Sequence, residues 1–355
     1  MKKVLSFLLV IVCVLLTVPV AFADTDSGAY KPKPSSSEVH WSYDEDTKTL
    51  TFSGEIIVTG DASGSGYYGA DGKFIPLKWY FEPPWYKYHE EAETIIVEEG
   101  IKEIEQKAFW NFSALKYISL PTTLASIDEM VFYACPKLTL VTNDVSKKMQ
   151  EGVLYLPSSV VKVRDCIGIN PQIQVESLPQ NLSYIEESFY GTAFWLNEGN
   201  WEDGVLYCGN CLIAASEEVN GTYEIKDGTH IVASDAFRDN KNIEEVVIPK
   251  SVDFIGDDAF RDCEKLKKVT IYNYRMSTGP ISLSGNSTSH WSEGVFPKET
   301  TIYCYKYSWA HECCSSFGRP VVHMGWSPDA TLFEKMEYFI LDILEFFGIK
   351  KFRLI

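Results

Sequence analysis

Basic charge is scarce in this chain: Lys and Arg number 32 against 49 Asp and Glu, for a net charge of -17 at neutral pH. Phosphate backbones and anionic headgroups are bound by clustered Lys and Arg, so so acidic a chain argues against nucleic acid as a partner and, as a whole, is repelled by anionic lipid. Histidine is sparse too, with six residues scattered at 40, 89, 230, 290, 311 and 323 and no ligand spacing among them. No G-x-S-x-G elbow, H-E-x-x-H, P-loop or G-x-G-x-x-G stands in a suitable context, so the sequence offers no catalytic residue, no metal ligand set and no cofactor.

Long hydrophobic runs are confined to the N-terminus. Residues 1–23 carry Lys2 and Lys3, the apolar run Val4 to Leu16, and Ala21-Phe22-Ala23 before Asp24. This order reads as a secretory signal peptide cleaved after Ala23; Pro19 and the small-x-small ending favour cleavage over a transmembrane anchor. Cleavage removes two of the 32 basic residues and no acid, taking the charge from -17 to -19. The mature chain then has no transmembrane span and no Cys at its new N-terminus to receive a lipid. With 45% hydrophobic residues it is a folded, exported protein. Losing Cys13 leaves eight of nine cysteines, an even number that permits disulfides in an oxidising compartment.

What the chain has in quantity is itself. Gly100, Ala108, Phe109, Pro121, Ile127, Phe132, Cys135 and Leu138 recur without a gap 128 residues later, as Gly228, Ala236, Phe237, Pro249, Ile255, Phe260, Cys263 and Leu266. Within each copy the pattern repeats at 23 residues, as from Phe109 to Phe132 and from Phe237 to Phe260. A period in the twenties predicts a solenoid, a scaffold that builds an extended binding surface. The unit reads as a strand (Leu266-x-x-Val269-x-Ile271), a turn into a second short extended piece (Pro249-x-x-Val252-x-x-Ile255), and Ala259-Phe260-x-x-Cys263-x-x-Leu266, whose spacing suits one helical turn. Cys135 and Cys263 share one repeat position and should pack as small apolar residues in the stacked core.

The organisation along the chain follows. Residues 24–37 read as a linker and 38–94 as a β-rich N-terminal cap, opened by a hairpin from Trp41 to Gly54. Residues 95–323 hold the repeats, degenerate across 141–176 and interrupted by a hairpin at 203–213 and a Ser-, Gly- and Thr-rich insertion at 277–294. Residues 324–355 carry a C-terminal amphipathic helix.

The run from Val246 to Cys263, Val-Val-Ile-Pro-Lys-Ser-Val-Asp-Phe-Ile-Gly-Asp-Asp-Ala-Phe-Arg-Asp-Cys, resembles the BspA-like leucine-rich repeats of bacterial surface and secreted proteins. The Trp41 to Gly54 hairpin, Pro84-Trp85-Tyr86 and the Gly-Val-Leu-Tyr insertion also resemble parts that accompany such repeats. The resemblance covers about residues 38–323. It implies a leucine-rich-repeat solenoid of short parallel strands with little helix, on a secreted or cell-surface protein, often linked with adhesion or host contact and without enzymatic activity. The chain has neither an LPxTG-type sorting signal nor a recognisable wall-binding repeat.

Three segments invite a chemical reading. Cys208-Gly-Asn-Cys211 fits a disulfide across a hairpin turn, two unbonded thiols, half a zinc site that no second pair completes, or a redox pair, for which a solenoid lacks the βαβ context. Cys313-Cys314 with Cys304 and His311 is the other thiol-rich stretch; adjacent side chains point apart, so one of the two fits a pairing with Cys304. Around Trp79, Trp85 and Tyr86 the aromatic density is the best binding suggestion, since exposed rings stack on sugars and anchor interfaces; the competing reading buries them beneath the cap. The carboxylate pairs fall mostly at template positions facing solvent, which leaves a secreted glycan-acting hydrolase as a minor alternative to a noncatalytic protein binding a protein or glycan ligand. In the tail, Leu332, Met336, Phe339, Ile340, Ile343 and Phe347 recur at helical spacing beside Glu334, Glu337, Asp342 and Glu345. Such a helix suits capping, self-association through 331–355, or a membrane surface, and its acidic side argues for the first two.

Overall fold

The structure, a computed structural model, describes residues 26–31, 37–57, 66–68, 74–76, 83–142, 152–186, 189–276, 295–316 and 318–346. The signal segment, Trp79, the insertion at 277–294 and the residues after Phe346 lie outside these.

Each coil contributes one strand to each of two sheets. Along the longer one, strands Thr94–Val97, Tyr117–Ser119 and Leu140–Thr142 pair in parallel, bringing Ile95, Ile118 and Val141 into register. On the other, Glu103–Ile104, Ser126–Ile127, Lys162–Val163 and Tyr184–Ile185 align Ile104, Ile127, Val163 and Ile185. All of these aliphatic residues are buried. A coil alone could not hide its apolar side, so the stacking of neighbours creates the core.

The segment around the repeated Ala-Phe pair, with its three-to-four spacing, reads in sequence as one helical turn; in the structure it is a run of turns. Left-handed residues recur four apart, at Lys107 and Asn111, Met130 and Ala134, Asp235 and Asp239, and Asp258 and Asp262, with φ between 54° and 61°. A left-handed residue ends an α-helical run, so the backbone finds partners on the next coil instead. Phe109 N donates to Val131 O at 3.1 Å, Phe237 N to Ala259 O at 2.7 Å and Phe260 N to Val295 O at 3.0 Å. The rings follow their backbones: Phe109 stacks on Phe132 at 6.0 Å, Phe237 on Phe260 at 4.8 Å and Phe260 on Phe296 at 5.2 Å. Truncating a ring in such a spine costs about 3–5 kcal/mol.

The matching cysteines play matching parts. Cys135 Sγ donates to Phe109 O at 3.3 Å and Cys263 Sγ to Phe237 O at 3.0 Å, both fully buried.

At the N-terminus the strands Val39–Asp44 and Thr49–Gly54 form an antiparallel hairpin. Its second strand continues the long sheet in parallel with Thr94–Val97. The segment 24–37, read in sequence as a linker, is in part structured: Asp26–Tyr30 pairs antiparallel with Val39–Asp44 and forms the sheet's edge. Alternation alone does not reveal it, because Asp-Ser-Gly-Ala-Tyr has one large apolar side chain.

The ladders break between Ile185 and Cys211. The eight-stranded sheet ends at Gln174–Val175 and its five-stranded partner at Tyr184–Ile185. Beyond the break, a hairpin of Val205–Cys208 and Cys211–Ala215 starts a new sheet with Ile231–Val232 and Phe254–Ile255. Opposite it run Gly221–Glu224, Ile243–Ile248, Lys268–Ile271, Thr301–Cys304 and Val321–His323, all parallel. The two blocks meet where Ser234 N donates to Ile185 O at 3.2 Å and Tyr184 packs edge-on against Phe254 at 5.4 Å.

The C-terminal helix, Leu332–Phe346, opens with a capping box in which Thr331 and Glu334 satisfy each other's backbone amides at 2.6 and 3.2 Å.

Candidate functional site

Among the described residues of the cap, Trp85 and Tyr86 are core residues. Trp85 is fully buried, its indole Nε1 donates to Ala108 O at 2.9 Å, and its ring meets Phe52 at 5.1 Å and Tyr30 at 5.6 Å edge-on. Trp85 therefore begins the spine continued by Phe52, Phe109 and Phe132. Tyr86 is buried as well, stacked on His89 at 4.4 Å. Neither presents a face to a ligand, so the binding role that the sequence suggested for Trp85 and Tyr86 is corrected here: the first coil has no coil above it, and these rings supply its missing neighbour.

Exposed aromatic surface occurs at the break between the blocks. Tyr190 is 54% exposed and meets Trp195 edge-on at 5.5 Å; Trp195 in turn meets Trp201 at 5.2 Å. Sequence reasoning did not single these out, although the failure of the 23-residue period across this region is the signal that locates them.

Cys208 and Cys211 stand directly opposite each other across the turn Gly209-Asn210. Gly209 has φ +58° and Asn210 is not left-handed, the II′ arrangement for which Gly at the first central position is suited. Both cysteines are buried free thiols, and burial pushes each up to about 12, so neither is a thiolate at neutral pH. Cys304 and Cys314 are likewise buried.

The tip of this hairpin forms one wall of a groove of about 770 Å³. The opposite wall is the turn from Ser177 to Ser183, which leads into the last strand of the first block. The floor comes from the starts of the next two coils, with Gly228, His230, Ile231, Asp253 and Phe254. Its position follows from the chain: the extra hairpin pairs with Ile231–Val232 in parallel, which leaves the Ser177 to Ser183 turn facing the tip without a ladder between them.

The groove is furnished for polar contacts. His230 Nδ1 lies 2.7 Å from Asp253 Oδ2, and Asn273 Nδ2 approaches Asp253 Oδ1 at 3.2 Å. The backbone beneath is occupied, since His230 N donates to Asn210 O and Asp253 N to His230 O, each at 2.8 Å. The exposed side chains of Gln180 and Asn181 make no hydrogen bond among the described residues, and Leu178, Leu182, Ile231 and Phe254 supply apolar surface between them. Two amides and a hydrogen-bonded His–Asp pair, with apolar surface between them, can bind hydroxyl, amide and carbonyl groups.

A family model, the BspA type leucine-rich repeat region of six copies, matches residues 84–220, 169–283 and 230–308. No curated protein matches the chain. Among solved structures, a leucine-rich repeat protein from Eubacterium ventriosum is 14% identical, with 84% of this chain and 85% of that one covered at a TM-score of 0.34. A leucine rich cell surface protein from Faecalibacterium prausnitzii is 15% identical, covering 88% and 98% at a TM-score of 0.24. The pneumococcal vaccine antigen PcpA is 14% identical, covering 83% and 98% at 0.23. The parallel two-sheet coils, their 23-residue register and the family match over more than half of the chain agree, and the chain belongs to the BspA-type leucine-rich repeat family.

Proposed function

We propose that this is a noncatalytic, secreted or cell-surface leucine-rich-repeat protein that binds a protein or glycan segment in the groove between its two blocks. The observation that carries this reading is the furnishing of that groove: Gln180 and Asn181, whose amides make no hydrogen bond among the described residues, line it together with the His230–Asp253 pair in a cleft of about 770 Å³, a volume within the usual range of ligand sites. The pronounced negative charge directs the choice of ligand toward neutral or basic groups. Leucine-rich repeats suit this role because stacked coils hold the groove residues on a rigid backbone, so binding does not have to order them.

The test is a screen of the mature protein on glycan arrays and host matrix proteins, run beside a hydrolase panel. Gln180→Ala with Asn181→Ala, and separately His230→Ala, should weaken the selected ligand about tenfold or more, since each removes hydrogen bonds from a desolvated contact, while the fold is kept. Turnover abolished by a single carboxylate substitution would overturn the reading in favour of a glycan-acting enzyme.

A further inference from the structure

The floor of the groove has used its backbone donors and kept an acceptor. His230 N and Ile231 N both donate to Asn210 O, at 2.8 and 3.3 Å, and Asp253 N and Phe254 N both donate to His230 O, at 2.8 and 3.1 Å. Gly228 N donates to Ser251 Oγ at 2.9 Å. Every backbone amide of the floor is thus spent within the protein. On the wall, Ser183 gives both its amide and its hydroxyl to Val161 O, at 2.9 and 3.0 Å. Asp253 is in the opposite condition. Its carboxylate accepts from His230 Nδ1 at 2.7 Å and from Asn273 Nδ2 at 3.2 Å, which fills two of about four lone-pair sites. No Lys or Arg lines the groove, and among the described residues none lies within ion-pair distance of Asp253, whose side chain is 62% exposed.

We infer that the ligand of this groove is a peptide segment that sets the ammonium or guanidinium of a Lys or Arg side chain on Asp253, an inference that rests on the groove being the binding site. Charge and hydrogen-bond complementarity select this occupant. A ligand that fills the groove strips water from Asp253. A carboxylate covered in this way is costly without an opposite charge, and a cation supplies both the charge and the missing donors. Lys and Arg carry donors and no acceptor, which matches a floor whose amides are spent. Their aliphatic stems suit the apolar surface that Leu178 and Leu182 bring to the groove. A neutral glycan fits less well, since each hydroxyl accepts as well as donates and the floor has no backbone amide to offer it. The net charge of -17 also draws a cationic segment toward the protein.

The experiment titrates the mature protein by fluorescence anisotropy at about pH 8, where an ordinary imidazole is uncharged. The probes are labelled pentapeptides Gly-Leu-X-Leu-Gly, with X as Lys, Arg, Gln or Glu, and labelled oligomers of glucosamine and of N-acetylglucosamine. The Lys and Arg peptides should bind at least about tenfold tighter than the Gln and Glu peptides, the ratio expected of hydrogen bonds to a charged group. Asp253→Asn, which keeps the shape and removes the charge, should erase that preference, with circular dichroism confirming the fold. A Gln peptide bound as tightly as the Lys peptide overturns the proposal. So does a preference that Asp253→Asn leaves intact, since it then comes from the acidic surface at large. Binding of the glucosamine oligomer and of neither basic peptide assigns the cation to an amino sugar and overturns the peptide, as does the absence of binding by every probe. The reading of the groove fails separately, if the ligand selected on glycans and matrix proteins is indifferent to the Gln180/Asn181 and His230 variants.

Discussion

Gly256 packs so closely on Ser234 that a β-carbon at position 256 would stand 2.2 Å from the Ser234 amide nitrogen and 2.6 Å from its α-carbon. Gly256 N also donates to Val232 O at 2.8 Å, so both sides of the contact are backbone held by the stack and neither can retreat. Gly256→Ala should therefore destabilise the protein by about 3 kcal/mol through overpacking. Gly209→Ala should cost only about 1 kcal/mol, because its added methyl meets nothing within 4 Å and only the left-handed φ of +58° opposes it. Urea unfolding of the two variants checks the contrast; equal midpoints would mean that the coil contact at Ser234 is looser than described.

Trp85→Ala removes a fully buried ring and strands the Ala108 carbonyl, and should cost about 3–5 kcal/mol. Trp85→Phe keeps most of the packing and should lose about 1–2 kcal/mol. Thermal unfolding measures both. A Trp85→Ala variant that folds as stably as the wild type but loses a ligand would restore the exposed-site reading of this residue.

Buried thiols make stability depend on alkaline pH. Cys135, Cys208, Cys211 and Cys263 are each pushed up to about 12 by burial, against an ordinary value of 9.0. The folded state thus holds these protons more tightly than the unfolded chain. Their contribution to stability is complete below about pH 9 and is lost as pH rises toward 12. The unfolding temperature should fall above about pH 9, and less steeply in a Cys135→Ala, Cys263→Ala variant. At neutral pH a thiol reagent should react with these cysteines only after unfolding. A count short by two without reductant, restored by reductant, would show one disulfide, and loss of that deficit in a Cys208→Ser, Cys211→Ser variant would place it between Cys208 and Cys211.

The left-handed corners differ in quality between the two blocks. Asp258 and Asp262, with φ 55° and 58°, occupy the positions held in the first block by Met130 and Ala134, with φ 54° and 57°. Asp tolerates this conformation and Ala does not, so Ala134→Gly should stabilise the protein by about 1 kcal/mol, read as a raised unfolding temperature. A fall instead would show that the Ala134 methyl contributes packing worth more than its strain.

Much of the scaffold was legible because a solenoid is local. The spacing from Phe109 to Phe132 and from Phe237 to Phe260 names residues that stack ring on ring, and the shared position of Cys135 and Cys263 leads to the same bond to a Phe carbonyl. The corner around Ala259-Phe260 was misread as helical, because apolar spacing does not report the sign of φ at Asp258 and Asp262. The groove was legible only as a place, the region where the repeat fails. Its walls at Asn181 and Asn210 and its floor at His230 come together through an added hairpin whose pairing no periodicity encodes.

The sequence by itself determined the family, the repeat register and which side chains point inward, since each depends on residues within one or two coils. The tertiary structure alone decided that Trp85 is core and that the C-terminal helix turns its apolar side out. The second follows from Arg275 and Lys306, which meet Glu334 and Asp342 from 59 and 36 residues away. Hydrophobic periodicity says that a helix has two sides; only ion pairs formed across the fold say which of them the protein keeps for itself.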